Sequence, residues 1–309
     1  MRVGILSASP SGLRYSDNKR LAEEIVDRGA EPVLINFRRT LVAVREYGRQ
    51  LLEVGLDGSL QEVKVDVVIP RINKYVEAGV KAIDTLTSNG VPTTVTSNGV
   101  ILAKNKLATM VELDKNGIPV PYTIAPTGET PENTKEMIRL IQPDKKAPIV
   151  VKTLRGSKGK GVNIAESHRS ANAQVQTLGS EGIEYLVQEY IEPHENQPPS
   201  DIRIIVVDGL VVASMKRVSA SDDEFRANLA LGGSAISYEP TLRERELALR
   251  SADVIGARVI GFDAMHSQRG PLVTELNVNP GFGIEQYTNV NVAGAIVDLA
   301  MRLAEQKYV

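Results

Sequence analysis

The stretch that most constrains what this chain can become is Asp263 to Gly281, DAMHSQRGPLVTELNVNPG. It reads as two short strands joined by a turn near Ser267-Gln268-Arg269-Gly270, with Gly270 and Pro271 as turn residues. A hairpin centred on Arg269 sets Asp263 directly across from Glu275. Side chains alternate along a strand, so Glu275 and Asn277 share one face while Leu276 and Val278 share the other. Two carboxylates and one amide oxygen then gather on one patch, a donor set that suits Mg²⁺ or Mn²⁺. The polar outer face of an edge hairpin gives the same pattern. Spacing alone leaves the two readings level, so the rest of the chain has to decide.

With 309 residues there is room for two or three domains. A net charge of −2 gives no reason to expect a general nucleic-acid or membrane-surface binder. The absence of cysteine excludes thiol catalysis, cysteine zinc sites and disulfides. No apolar run is long enough for a signal-peptide core or a membrane span, and the expected location is cytoplasmic.

The first third alternates strand and helix. Val3–Ala8, Pro32–Asn36, Val65–Pro70 and Pro92–Val95 read as strands, and Lys19–Arg28 and Val76–Ser88 as helices. That order predicts a parallel α/β sheet. The first loop lacks the G-x-G-x-x-G dinucleotide fingerprint. Ligands of open α/β sheets sit at the carboxyl ends of the strands, which makes Ser11, Tyr15, Arg71 and Asn73 candidates for small-substrate contacts. Val100–Asn116 reads as one helix, and Lys106 within it has the local pattern of a solvated face residue.

The run PIVVKTLRGSKGKGVNIA, Pro148 to Ala165, reads as a buried strand carrying Lys152, a basic Gly-rich loop and a second strand. Glycines let backbone N–H groups approach phosphate oxygens, and a lysine in an apolar strand needs an anionic partner. The run is not a Walker A loop, because strand rather than helix follows Gly161. Tyr185–Ile191 reads as a strand whose edge could hold an adenine, although spacing alone favours an ordinary core strand. Asp201–Val207 and Leu210–Lys216 form a hairpin through Asp208-Gly209. Arg217, Arg226 and Asn228 fall in a loop-rich segment, and an arginine beside glycines suits phosphate or carboxylate gripping. Leu242–Ala257 and Asn291–Gln306 read as helices. His168, His194 and His266 form no cluster by spacing.

These pieces together resemble the ATP-grasp superfamily, and within it the RimK-like α-L-glutamate ligases. The resemblance runs almost end to end through RYSDNKRL, DVVIPRI, NKLAT, IVVKTLRGSKGKGV, VQEYI, SDIRIIVV, FRANLALGG and GFDAMHSQRGPLVTELNVNPG. It implies an α/β fold, α+β in part, with a Rossmann-like domain over 1–96, a central subdomain over 97–187 and a C-terminal subdomain over 188–309. It implies ATP with its phosphates on Lys106, Lys152 and the loop glycines and serine Gly156, Ser157, Gly159 and Gly161. Gln188, Glu189, Tyr190 and Ile191 would be the adenine hinge, and Asp201 a nucleoside contact. Arg226 and Asn228, with Lys152, would serve the reaction centre, and Asp263, Glu275 and Asn277 would hold two Mg²⁺ or Mn²⁺ ions.

The implied reaction joins a carboxylate to an amine through an acyl phosphate. Glutamate is the favoured amino acid, and a peptide, protein C-terminus or small molecule the acceptor. A cytoplasmic homo-oligomer, dimer or tetramer, without nucleic-acid or membrane partners is expected. The chain departs from the ligases at Ala230-Leu231, where they carry His-Arg, which bears on the identity of the substrates. A ligase for another amino acid and a nucleotide-binding regulatory module are the alternatives.

Overall fold

The computed structural model describes residues 1–8, 16–46, 48–130, 134–156, 161–193, 198–220 and 232–306. β1 (Arg2–Ser7), α1 (Ser16–Asp27) and β2 (Glu31–Asn36) open the chain, followed by β3 (Thr40–Arg45), β4 (Gly48–Val54), β5 (Leu60–Glu62), β6 (Val67–Arg71) and α2 (Val76–Ser88). β1 lies between β2 and β6 and pairs parallel with both, as the alternation predicts. β1 and β6 are buried almost throughout, the pattern of a sheet covered on both faces.

Two differences have local causes. The strand expected at Pro92–Val95 reduces to two isolated bridges, a parallel one from Thr93 to Val68 and an antiparallel one from Val95 to Ala257. The Thr93 hydroxyl bonds to the backbone of Val95 and turns the chain away from the sheet. The antiparallel meander β3-β4-β5 was not anticipated. Its apolar residues Leu41, Val42 and Val44 run nearly consecutively and face solvent, so they give no period-two signal.

The helix expected over Val100–Asn116 is two helices, α3 (Ser97–Ala103) and α4 (Lys106–Lys115). Asn105 interrupts it: its side chain accepts from the backbone N–H of Ala108 at 3.0 Å and caps α4. β7 (Thr123–Ile124), α5 (Thr134–Ile141), β8 (Ile149–Thr153), β9 (Val162–Ala165), α6 (His168–Ser180) and β10 (Tyr185–Glu189) follow. Their antiparallel sheet has the order β7-β10-β8-β9. Ile149, Val151, Tyr185 and Val187 pack against Met137 and Ile138 of α5 and Ala171 and Val175 of α6, in a core of their own. Alternation then puts Val150, Lys152, Leu186 and Gln188 on the other face, with Lys152 opposite Leu186 and Val150 opposite Gln188.

β11 (Ser200–Val207), β12 (Leu210–Val218), β13 (Ser234–Ser237), α7 (Leu242–Val254), β14 (Val259–Ser267), β15 (Gly270–Asn277), a one-turn α8 (Glu285–Thr288) and α9 (Val292–Gln306) complete the chain. The sheet order is β13-β12-β11-β14-β15. Asp208 and Gly209 both have positive φ, 52° and 74°, as a two-residue hairpin turn requires. α9 packs on α1 and β6 as well as on β11 and β12, so the N-terminal and C-terminal sheets share one core that excludes the central sheet. Among the described residues no helix is long and apolar enough to cross a membrane.

Candidate functional site

Lys152 projects from the face of the central sheet that its helices leave uncovered. Its ammonium donates to Gln188 Oε1 at 2.6 Å, and Gln188 Nε2 donates to Thr123 Oγ1 at 2.8 Å. The Gln188 amide is thereby fixed with its oxygen toward the lysine. That partner is neutral. Burial pushes the Lys152 ammonium down to about 8, an effect opposed by Glu275 and reinforced by Lys106.

The break between α3 and α4 delivers Lys106 to the same place. As the first residue of α4 it donates its backbone N–H to Leu154 O at 3.2 Å, just past the end of β8. Burial lowers its ammonium too, again against the pull of Glu275. Lys104, at the end of α3, behaves in the same way: burial lowers it, Glu275 opposes this, and Lys106 and Arg71 add to it. Sequence reading passed over Lys104 because an unbroken helix would make it one more solvated lysine. The signal was Asn105, a capping residue inside an apparent helix.

Glu275 is reached from the other side. The β14–β15 turn is two residues, so pairs run from Ser267–Gly270 back to Ala264–Val273. A continued ladder would set Asp263 against Thr274. A bulge there inserts one residue, and Asp263 pairs with Glu275 instead. Leu276 and Val278 are buried, while Glu275 and Asn277 are only partly covered. No described residue hydrogen-bonds to either of those two side chains.

Asp263 is differently placed. Arg203, its neighbour across the β11–β14 ladder, grips it with Nε at 2.7 Å and Nη2 at 2.5 Å. Arg217 Nη2 lies 3.1 Å from the same carboxylate and also forks onto Asp201, with Nε at 2.6 Å and Nη2 at 2.7 Å. Arg217 thus belongs to β12, paired with Asp201, rather than to a loop. Burial alone would raise the Asp263 carboxyl, and Arg203 and Arg217 outweigh it and hold the group below its usual range. For Arg217, burial lowers, and Asp263 and Asp201 more than reverse it. Asp201 is left raised by burial despite Arg217.

The hinge residues bracket the end of β10. Gln188 is buried within the sheet. The ladder stops at Glu189, and Tyr190 and Ile191 lie beyond it. Glu189 receives the Tyr122 backbone N–H at 2.6 Å and the guanidinium of Arg269 from the hairpin turn. That bond ties the turn between β14 and β15 to the central sheet, a link that the sequence did not suggest. Gly156 is exposed at the end of the loop. Gly161 has φ +75°, and a Cβ there would overlap the Thr153 hydroxyl, so only glycine fits.

Arg71, at the carboxyl end of β6, donates to Pro280 O at 2.9 Å and Asp17 Oδ2 at 2.8 Å, and its guanidinium lies over the Phe282 ring. It anchors the segment that follows β15, while Asn73 faces solvent. His168 bonds to Gln142 O and His266 to Glu244, on separate elements. Ser11, Tyr15, Ser157, Gly159, His194, Arg226, Asn228, Ala230 and Leu231 lie outside the described residues.

Among the described residues no group of three or more His, Cys, Asp or Glu side chains could by itself hold a metal ion. The hairpin offers two carboxylates and an amide. Glu275 and Asn277 are unengaged oxygen donors on one face, and Asp263 stands across the ladder with its charge held by two arginines. This donor set fits a hard cation that also takes oxygens from a bound phosphate.

The RimK-like ATP-grasp domain matches residues 103–300, and the RimK PreATP-grasp domain matches residues 1–100. A probable alpha-L-glutamate ligase of Legionella pneumophila (strain Corby) is 34% identical over 307 residues, covering 99% of this chain and 97% of that protein. A probable alpha-L-glutamate ligase of Shewanella halifaxensis (strain HAW-EB4) is 34% identical over 300 residues, 96% of this chain but 62% of the relative, so the chain spans less than two thirds of that protein. Among solved structures, the ATP-grasp ligase PsnB complexed with minimal precursor, Mg and ADP superposes with a TM-score of 0.71 at 18% identity, covering 98% of each chain. At that identity the superposition speaks for the fold. The parallel N-terminal sheet, the two antiparallel sheets that bring lysines and carboxylates together, and these matches along nearly the whole chain show that it belongs to the RimK-like ATP-grasp family.

Proposed function

We propose that this chain is an ATP-dependent carboxylate–amine ligase that adds L-glutamate to the carboxylate of a peptide, a protein C-terminus or a small molecule. The observation that carries this reading is the convergence of Lys104, Lys106 and Lys152, from the helix break and the central sheet, on Glu275 of the C-terminal sheet. Three enclosed ammoniums with one carboxylate between them call for a polyanion. The similarity to proteins named probable alpha-L-glutamate ligase supports glutamate as the amino acid.

In this reading Lys106 and Lys152 hold the phosphates of ATP, and Gly156, Ser157, Gly159 and Gly161 are further nucleotide contacts. Val150 and Leu186 floor the nucleotide, Gln188 to Ile191 border the adenine, and Asp201 is the nucleoside contact. Glu275 and Asn277, with Asp263 behind them, would hold two divalent ions, Mg²⁺ or Mn²⁺, which would offset the charge of the phosphates. A carboxylate oxygen of the acceptor attacks the γ-phosphorus. The bond to the β-phosphate oxygen breaks and ADP leaves with its electron pair. The amine of glutamate then attacks the acyl carbon, and phosphate departs carrying the amine proton. Arg226 and Asn228 steady the reacting groups. Positioning and charge neutralisation do the work, and no protein nucleophile is needed. The division into 1–96, 97–187 and 188–309, a cytoplasmic location, homo-oligomerisation and the lack of nucleic-acid partners belong to the same proposal.

The test is ADP release with ATP, Mg²⁺, each amino acid in turn and a panel of carboxylate acceptors, with the product read by mass spectrometry. The expected result is glutamate-dependent ADP and a product heavier by one glutamyl residue. Turnover with another amino acid and none with glutamate would replace the glutamate assignment. Nucleotide binding without ADP release across the panel would favour a regulatory module.

A further inference from the structure

We propose that Lys104 is a catalytic residue that binds the acceptor carboxylate, and then its acyl phosphate, where the nucleotide site meets the N-terminal sheet. This rests on the ligase reading and assigns the anion that the other lysines leave over.

The position of Lys104 carries the argument. It closes α3 at the break before α4, and both helices pack against β15, the strand of Glu275. Its neighbours are ordered. Lys152 feels Glu275 and Lys106, and Lys104 feels Glu275, Lys106 and Arg71. Lys106 opens α4 against Leu154 at the end of β8, Lys104 lies two residues before it at the close of α3, and Arg71 ends β6, near enough for its charge to act on Lys104. Open α/β sheets bind small molecules at that end of their strands. Lys104 is thus the cation between the phosphate lysines and the region where a substrate of the N-terminal domain sits.

Its partners point the same way. Arg71 is already committed to Asp17 and Pro280 O. Lys152 has Gln188. Lys104 makes no hydrogen bond or ion pair through its side chain with any described residue, yet it is half-buried and burial lowers its ammonium. An enclosed ammonium without an anion is costly to keep unless a ligand supplies one. A carboxylate of one negative charge becomes an acyl phosphate of two as the γ-phosphoryl moves, while ATP of four becomes ADP of three. The total of five is unchanged, but charge moves toward the acceptor, which is where Lys104 stands. A cation there favours the transfer beyond binding the ground state.

The experiment uses the full chain with Lys104→Met and Lys104→Arg, with thermal melting as a check on folding. Nucleotide affinity is measured by titration with a non-hydrolysable ATP analogue and Mg²⁺. The carboxylate identified in the ADP-release screen is then titrated onto the analogue-loaded protein, and kcat and KM are measured with it. For Lys104→Met the expected result is nucleotide affinity within about threefold of wild type, weakened carboxylate binding, and a fall in kcat/KM for the acceptor on the order of a hundredfold or more. Lys104→Arg should recover at least about tenfold of that loss, since it keeps the charge. Wild-type acceptor kinetics in Lys104→Met would make it a solvated lysine. Loss of nucleotide binding as deep as in Lys152→Met would make it a third nucleotide lysine. If wild type releases no ADP with any acceptor, the ligase reading falls first, before any variant is made, and the assignment of Lys104 falls with it.

Discussion

On the C-terminal sheet Asp201, Arg217, Asp263 and Arg203 satisfy one another in a chain of ion pairs, forked from Arg217 to Asp201 and from Arg203 to Asp263. On the central sheet and the α3–α4 break, the Lys152 ammonium has only a neutral amide, and the Lys104 and Lys106 ammoniums have no hydrogen-bonded partner among the described residues. The acidic wall is finished before any ligand arrives, and the basic wall is not. Glu275 is the exception on the acidic side, since no arginine among the described residues pairs with it. Charges that pair internally hold the fold, whereas charges left enclosed and unpaired mark where a ligand belongs.

Removing one member from each kind of position should break the comparison most sharply. Asp263→Ala leaves Arg203 and Arg217 facing each other with one carboxylate gone, and should cost about 3–5 kcal/mol of folding stability in a denaturant melt. Glu275→Ala removes a side chain that no described residue grips. Stability should fall by less than in Asp263→Ala, since only its charge on the neighbouring lysines is lost, while ADP formation falls on the order of a hundredfold or more. Equal stability losses in the two variants would erase the distinction between the walls.

Lys152→Met sharpens it from the basic side. Its shift from 10.5 to about 8 means that the charged lysine costs the ligand-free fold roughly 3 kcal/mol at neutral pH. Losing the bond to Gln188 returns about 1 kcal/mol of that. The variant should therefore melt higher without ligand and bind ATP analogues far more weakly, the trade expected where a strained group serves function.

The pH dependence follows from the same group. Its folded value lies below its unfolded one, so between about 8 and 10.5 the unfolded chain binds the extra proton and stability rises with pH across that window. Nucleotide affinity moves oppositely, weakening as pH climbs through about 8 and Lys152 loses its charge. Wild type should show both slopes in melts and titrations, and in Lys152→Met both should shrink to the part that Lys104 and Lys106, also lowered by burial, retain.

The smallest effect is expected at Arg269→Ala, which cuts the exposed pair to Glu189 between the hairpin turn and the central sheet. Stability should fall by no more than about 1 kcal/mol, and the KM for ATP should rise only a fewfold.

The comparison also explains what was legible in the sequence. Lys152 could be read because an apolar strand with a lysine in it is anomalous by itself, and Glu275 and Asn277 because alternation places them together. The pairing of Asp263 with Glu275 came out of a turn centred on Arg269. The chain reaches it by a tighter turn and a bulge at Thr274, and a bulge leaves no signature in residue type. The carboxylate partners of Arg203 and Arg217 were out of reach for a shared reason. Their roles depend on which elements are neighbours, and the order β12-β11-β14-β15 is a long-range fact. The parallel sheet was visible through buried apolar runs, but the β3–β5 meander, with its apolar residues facing solvent, was not.

The claim on which the account rests is that one polyanion, with divalent ions, spans Lys106 and Lys152 on one wall and Glu275 and Asn277 on the other. A crystal structure with a non-hydrolysable ATP analogue and Mn²⁺, read by anomalous scattering, tests it directly. The account predicts manganese peaks within roughly 2.0–2.3 Å of Glu275 and Asn277 oxygens, with the phosphates against both lysines. Phosphates bound elsewhere, or seated on the lysines with no ion between them and Glu275, would contradict it.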